Sequence, residues 1–165
     1  MYRFHQIFCA TAWELEGERR AFYDLVGEVN EADSMPRGAL YVPVSLTNVQ
    51  DKRPLQYTVD ENIRACSYYL LAIAGDWGSK ERNFERDYRL ALSCRADPSL
   101  PMRETAILLQ ARPDGAPDPF AAELAAAGFP SIPFRDTTEF NEIVRALLKQ
   151  WIAAEEATSN SGAPA

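Results

Sequence analysis

The sequence predicts an α/β domain built on a parallel sheet, and three observations carry that prediction. Strand-like apolar runs and segments of helical period alternate five times along the 165 residues. One run, Tyr69-Leu70-Leu71-Ala72-Ile73-Ala74, is apolar throughout, as a strand covered on both faces must be. Two others carry an internal proline, Pro43 and Pro133, which suits edge strands because proline has no backbone N–H to donate. Apolar residues make up 47% of the chain, enough for the full core of one domain.

The elements follow in order. A first strand begins near Arg3 and closes with Ile7-Phe8-Cys9-Ala10. From Trp13 to about Asn30, Leu15, Phe22, Leu25, Val26 and Val29 recur at helical spacing. Leu40 to Val44 is a second strand, Thr58 to Cys66 a short helix, and the run from Tyr69 a third strand. A helix carrying Phe84, Tyr88, Ala91 and Leu92 precedes a strand at Ala106-Ile107-Leu108-Leu109. A helix from Phe120 to Ala127 leads to a weak strand, Ile132-Pro133-Phe134. The last helix lines up Phe140, Ile143, Val144, Leu147, Leu148 and Trp151 on one face.

Helix starts are marked by capping-box spacings: Thr11 with Glu14, Thr58 with Glu61, and Asp136 with Glu139. Asp118-Pro119 supplies a cap and a first-turn proline, and Gly128 closes the same helix. Residues 1–152 therefore read as a single domain. From Ala153 to Ala165 the composition turns to Glu, Ser, Asn, Gly and Pro, which predicts a disordered tail or linker. With Pro43 and Pro133 at the edges, the strand order is 2-1-3-4-5, the flavodoxin-like three-layer sandwich rather than the Rossmann order.

Composition excludes several function classes. A formal net charge of −7 argues against direct nucleic-acid binding or an anionic membrane surface. The single histidine, His5, and the widely spaced Cys9, Cys66 and Cys94 predict no metal site, no resident cofactor and no disulfide framework. The opening Met-Tyr-Arg-Phe-His-Gln lacks a signal-peptide pattern, and no apolar run is long enough to span a bilayer. A soluble, cytoplasmic protein is expected.

Three patches resemble a known family. Cys9-Ala10-Thr11-Ala12-Trp13-Glu14-Leu15 with Glu18-Arg19 is similar to a Ser-Ser-Thr-Phe-x-Asp-Leu-x-x-Glu-Arg start. Asn62 to Gly78, ending Gly75-Asp76-Trp77-Gly78, is similar to a helix-strand segment closing in Gly-x-Tyr-Gly. Asp87-Tyr88-Arg89-Leu90-Ala91 is similar to the Glu-x-x-x-Ala step of Toll/interleukin-1 receptor (TIR) domains. Together they resemble a TIR-like family of bacterial domains, often fused to STAND-type ATPases. The departures are Cys9 and Ala10 for paired serines, Trp77 for Tyr, and Asp87 at the catalytic glutamate position. The resemblance implies a signalling or conflict role: hydrolysis of NAD as a substrate, or assembly with itself or a partner signalling protein.

The switch-point rule places a ligand beyond the carboxyl ends of the first and third strands. Thr11, Trp13, Gly75, Asp76, Trp77 and Gly78 are delivered there as nucleotide-binding candidates, with Glu85 and Asp87 as catalytic candidates. Glycines let backbone amides approach a phosphate, indoles stack on a base, and a carboxylate steadies a ribosyl cation. Thr11, Trp77 and Asp87 are expected to converge, provided the 47–57 loop leaves the crevice open. Arg19, Lys80, Arg82 and Arg86 would supply a local positive field.

Each candidate also has a structural reading. Thr11 with Glu14 fits a plain helix cap, and early-helix acids such as Glu85 and Asp87 suit the dipole. These two flank the apolar stripe on opposite sides, so at most one faces the crevice. Trp13 and Trp77 fit packing, Gly75 and Gly78 a turn, and the four basic residues ordinary surface charge. Glu18-Arg19 reads as a solvated helix face unless Arg19 braces the crevice. His5 reads as structural and Cys9 as a core thiol. Three functions stay open: a nucleotide-binding or NAD-processing TIR-like effector, a non-catalytic TIR-like interaction module, and a nucleoside deoxyribosyltransferase-like enzyme.

Overall fold

The computed structural model describes residues 1–46 and 55–161. The apolar runs become β1 (Arg3–Thr11), β2 (Ala39–Val44), β3 (Tyr68–Ile73), β4 (Glu104–Gln110) and β5 (Ser131–Phe134). The helical segments become α1 (Glu16–Val29), α2 (Gln56–Ala65), α3 (Phe84–Ala96), α4 (Pro119–Ala126) and α5 (Thr137–Ser161). Pairing is parallel throughout, in the order β2-β1-β3-β4-β5. The fold is flavodoxin-like, as the alternation and the prolines predict.

Both prolines turn their missing donor away from the sheet. Phe134 C=O accepts from Ala111 N–H at 2.8 Å on the β4 side, so the adjacent Pro133 faces outward. Tyr41 directs its backbone outward to Asn30, and Pro43, two residues on, shares that side. The strand order thus follows from the chemistry of one absent N–H.

Side-chain alternation builds the layers. Tyr41 and Tyr68 point toward α5: Tyr41 Oη donates to Leu148 C=O at 2.9 Å, and Tyr68 stacks on Trp151 with centroids 4.4 Å apart. Phe8 and Tyr69 stack on the opposite face, where Tyr69 meets Tyr88 of α3. β3 is buried at all of its positions, as its unbroken apolar run predicts. Trp77 packs edge-on against Phe120 of α4 at 5.4 Å and joins α4 to the α3 layer.

Two of the predicted caps form. Asp118 accepts from Phe120 N–H and Asp136 from Glu139 N–H, each at 2.9 Å. Gly128, at φ 74°, closes α4 with Phe129 N–H donating to Leu124 C=O at 2.9 Å. The other two do not form. Thr11 remains in β1, extended by its pairing with β3, and α2 starts before Thr58 with no side-chain cap. Asn83 caps α3 instead, accepting from Arg86 N–H at 3.1 Å.

The predicted tail is corrected through Ser161, while residues 162–165 lie outside the described residues. Helix α5 continues past Ala153 because Ile152 and Glu155 extend the buried stripe begun at Phe140. Glu155 is buried and accepts from Tyr68 Oη at 2.8 Å, and it pairs with Arg103. A carboxylate in a core position concealed the stripe.

Candidate functional site

Beyond the C-terminal ends of β1 and β3 lies a crevice of about 610 Å³. This is the topological switch point, where the connections leave β1 and β3 toward opposite faces. The end of β1 and the turn after it deliver Thr11, Trp13 and Glu14, and α1 delivers Glu16 and Arg19. The β3–α3 loop contributes Asp76, Gly78, Ser79 and Arg82. Trp13 is 51% exposed and lines the cavity wall.

Two guanidiniums and three carboxylates set the field. Arg19 grips Glu16 through both carboxylate oxygens, at 2.8 and 2.7 Å. That hydrogen-bonded pairing holds the Glu16 carboxyl down at about 2. The i, i+3 spacing in α1 brings them together, a signal present in the sequence but not read as part of the site. Arg82 pairs with Asp87, and its guanidinium lies over the Phe84 ring, 4.6 Å from the centroid. Glu14 and Asp76 add negative charge to the rim.

The loop closes tightly around Gly78. Gly78 has φ 88°, and a Cβ there would lie 2.5 Å from the Arg82 carbonyl oxygen and 2.9 Å from Phe84. Its N–H donates to Asp76 Oδ1 at 2.7 Å. The expected phosphate-cradling amide is therefore already engaged within the loop. Gly75, at φ 74°, makes the turn after β3 and does not line the cavity.

The predicted convergence of Thr11, Trp77 and Asp87 does not occur. Thr11 lines the crevice, whereas Trp77 turns into the aromatic cluster with Phe120, Phe129 and Tyr88. Asp87 has 0% exposure and sits behind Arg82. Gln56 Nε2 donates to it at 2.9 Å, and Arg86 lies 3.7 Å away. Glu85 lies outside the crevice and pairs with Arg89 at 2.9 Å. Neither predicted catalytic carboxylate meets the cavity, because the helical stripe aims one into the core and the other along the α3 surface.

Glu18-Arg19 divides between two roles. Glu18 is buried and accepts from Thr137 Oγ1 of α5 at 3.2 Å, while Arg19 braces the crevice wall. Cys9 lies in the crevice floor at 1% exposure, and burial pushes its thiol up to about 12. That leaves it inert as a nucleophile at neutral pH. Lys80 and Arg86 lie outside the cavity lining. Of the 47–57 loop, residues 47–54 lie outside the described residues.

Among the described residues, no helix is long and apolar enough to cross a membrane. No family model matches the sequence, and no curated protein matches it.

Proposed function

We propose that the protein is a TIR-like signalling or effector domain that binds NAD or a related nucleotide in the β1/β3 crevice. The observation that carries this reading is the roomy switch-point cavity with Trp13 on its wall and Arg19 and Arg82 around it. An indole stacks on a base, the Thr11 hydroxyl donates to or accepts from ribose hydroxyls, the rim carboxylates accept from them, and a guanidinium takes a phosphate. Asp87, fully buried and paired with Arg82, favours binding without cleavage, since a carboxylate outside the cavity lining is poorly placed to steady a ribosyl cation.

Calorimetric titration with NAD and ADP-ribose tests the binding. The wild type is expected to bind, and Trp13→Ala to weaken binding about tenfold through lost stacking. No heat with either ligand, alongside concentration-dependent oligomers, overturns the reading in favour of a non-catalytic interaction module. Chromatography of released nicotinamide, with dilute and concentrated protein, tests cleavage. Turnover that disappears in Asp87→Ala or Glu85→Ala, with circular dichroism unchanged, would restore the hydrolase reading and name its carboxylate.

A further inference from the structure

The two arginines of the crevice differ in how they are held. Arg19 is matched nitrogen for oxygen by Glu16, in a fork-to-fork pair that uses Nε and Nη2 together. Arg82 contacts Asp87 through Nη1, and its side chain is 18% exposed on the crevice wall. Its guanidinium carbon lies over the Phe84 ring, 4.6 Å from the centroid, and its backbone N–H donates to Ser79 Oγ at 3.2 Å. Asp87 is itself held by Gln56 and lies 3.7 Å from Arg86, which grips Asp60 of α2 through both oxygens at 2.8 Å.

We infer that Arg82 is the anion anchor of the crevice and that Asp87 is the positioning residue that aims it, selecting ligands that bring a phosphate to the β3–α3 loop. This deepens the nucleotide-binding reading and rests on it for the ligand class. A guanidinium has five donors in a rigid fork, so one contact to a buried carboxylate fixes its plane and leaves others for a ligand oxyanion. The cation–ring contact with Phe84 restricts the side chain further and lowers the ordering cost of binding. On the β1–α1 side of the lining Glu14 repels an anion and Arg19 is already matched by Glu16, which directs the anion to Arg82. Asp87 lies too deep to meet the ligand, and it acts on the crevice through Arg82.

The test compares AMP, adenosine and inorganic phosphate by NMR titration, following the Arg82 Nε–H resonance and the affinities. Wild type is expected to prefer AMP over adenosine by about tenfold or more and to shift the Arg82 resonance with phosphate alone. Arg82→Gln should bind adenosine as before, lose the preference for AMP and lose the phosphate response. Asp87→Asn should lower the AMP-to-adenosine ratio several-fold with adenosine affinity unchanged, and Asp87→Glu should restore part of it. A residue needed only for folding would weaken both ligands together. If Asp87→Asn does not fold, the Arg82→Gln arm decides the anchor, and the Asp87→Glu ratio decides the positioning role.

Equal affinity for AMP and adenosine in the wild type, with no phosphate response, overturns the anchor while nucleotide binding stands. Phosphate binding that Arg82→Gln abolishes, with neither AMP nor adenosine bound, overturns the nucleotide reading and upholds the anchor. No response to any of the three overturns both.

Discussion

Asn30 closes the open edge of β2 on Tyr41. Its Nδ2 donates to the Tyr41 carbonyl at 2.9 Å, and Tyr41 N–H donates to its Oδ1 at 2.8 Å. One side-chain amide thus stands in for a neighbouring strand, satisfying two backbone groups that would otherwise be left unpaired. Asn30 is delivered by the π turn (Asn30–Ser34) that extends α1, so the helix end and the sheet edge share one residue.

Replacing Asn30 with Ala should therefore cost about 2–3 kcal/mol, because both buried Tyr41 groups lose their partner at once. Asn30→Asp should also destabilise, since a carboxylate offers no donor to the Tyr41 carbonyl. Urea denaturation measures both. A loss below about 0.5 kcal/mol for Asn30→Ala, the size of an ordinary surface change, would contradict the edge role.

Gly78 and Gly17 should respond oppositely to alanine. At Gly78 the left-handed backbone and the contact with the Arg82 carbonyl predict a loss of about 2 kcal/mol or more. Gly17, inside α1 with open space around it, should gain about 0.5–1 kcal/mol from the same change. Thermal unfolding of the two variants side by side reads the contrast, and equal shifts would refute it.

His5 should make the fold lose stability as pH falls below 6.5. Burial lowers its pKa from that value, Arg103 and Arg3 act in the same direction, and Glu155 opposes them. Tyr41 and Tyr68 face the same ring. The unfolded chain therefore takes up the proton first, so stability is full above 6.5 and declines as pH drops toward the lowered value. His5→Gln should flatten that part of the stability profile, and an unchanged slope would assign it to other groups.

Glu16 should titrate with Arg19 as its controlling neighbour. The carboxyl sits at about 2 against an ordinary value of 4.5. Arg19→Met should return it toward 4.5, read by carbon-13 NMR of the carboxyl group. In the wild type the pair's stabilisation is complete above 4.5 and declines as pH falls toward 2. A Glu16 carboxyl that stays low in Arg19→Met would shift the cause to Arg20, 3.4 Å away.

The framework was legible because its signals are local. Pro43 and Pro133 lack a donor wherever they stand, and Asp118, Asp136 and Gly128 act within a turn of their own positions. Thr11 and Thr58 carried the same local signal and were overruled, one by pairing with β3 and the other by an earlier helix start. The stripe of α5 was readable as far as Trp151. Beyond it, Glu155 looked like a solvent residue because its partners, Tyr68 and Arg103, belong to other elements.

The candidate site divides along the same line. By itself the sequence determined the α/β alternation, the edge strands, the place of the crevice, and the presence there of Thr11, Trp13 and Asp76. Strand ends and the switch point follow from periodicity and chain order, which need no knowledge of rotamers. Only the tertiary structure decided that Asp87 lies behind Arg82, that Glu85 turns away, and that Trp77 joins the aromatic cluster. A helical position three residues from Phe84 can face core or cavity according to what packs against it. For Asp87 the deciding neighbours are Gln56 on α2 and Arg82 on the preceding loop, brought together only when both layers close on the sheet.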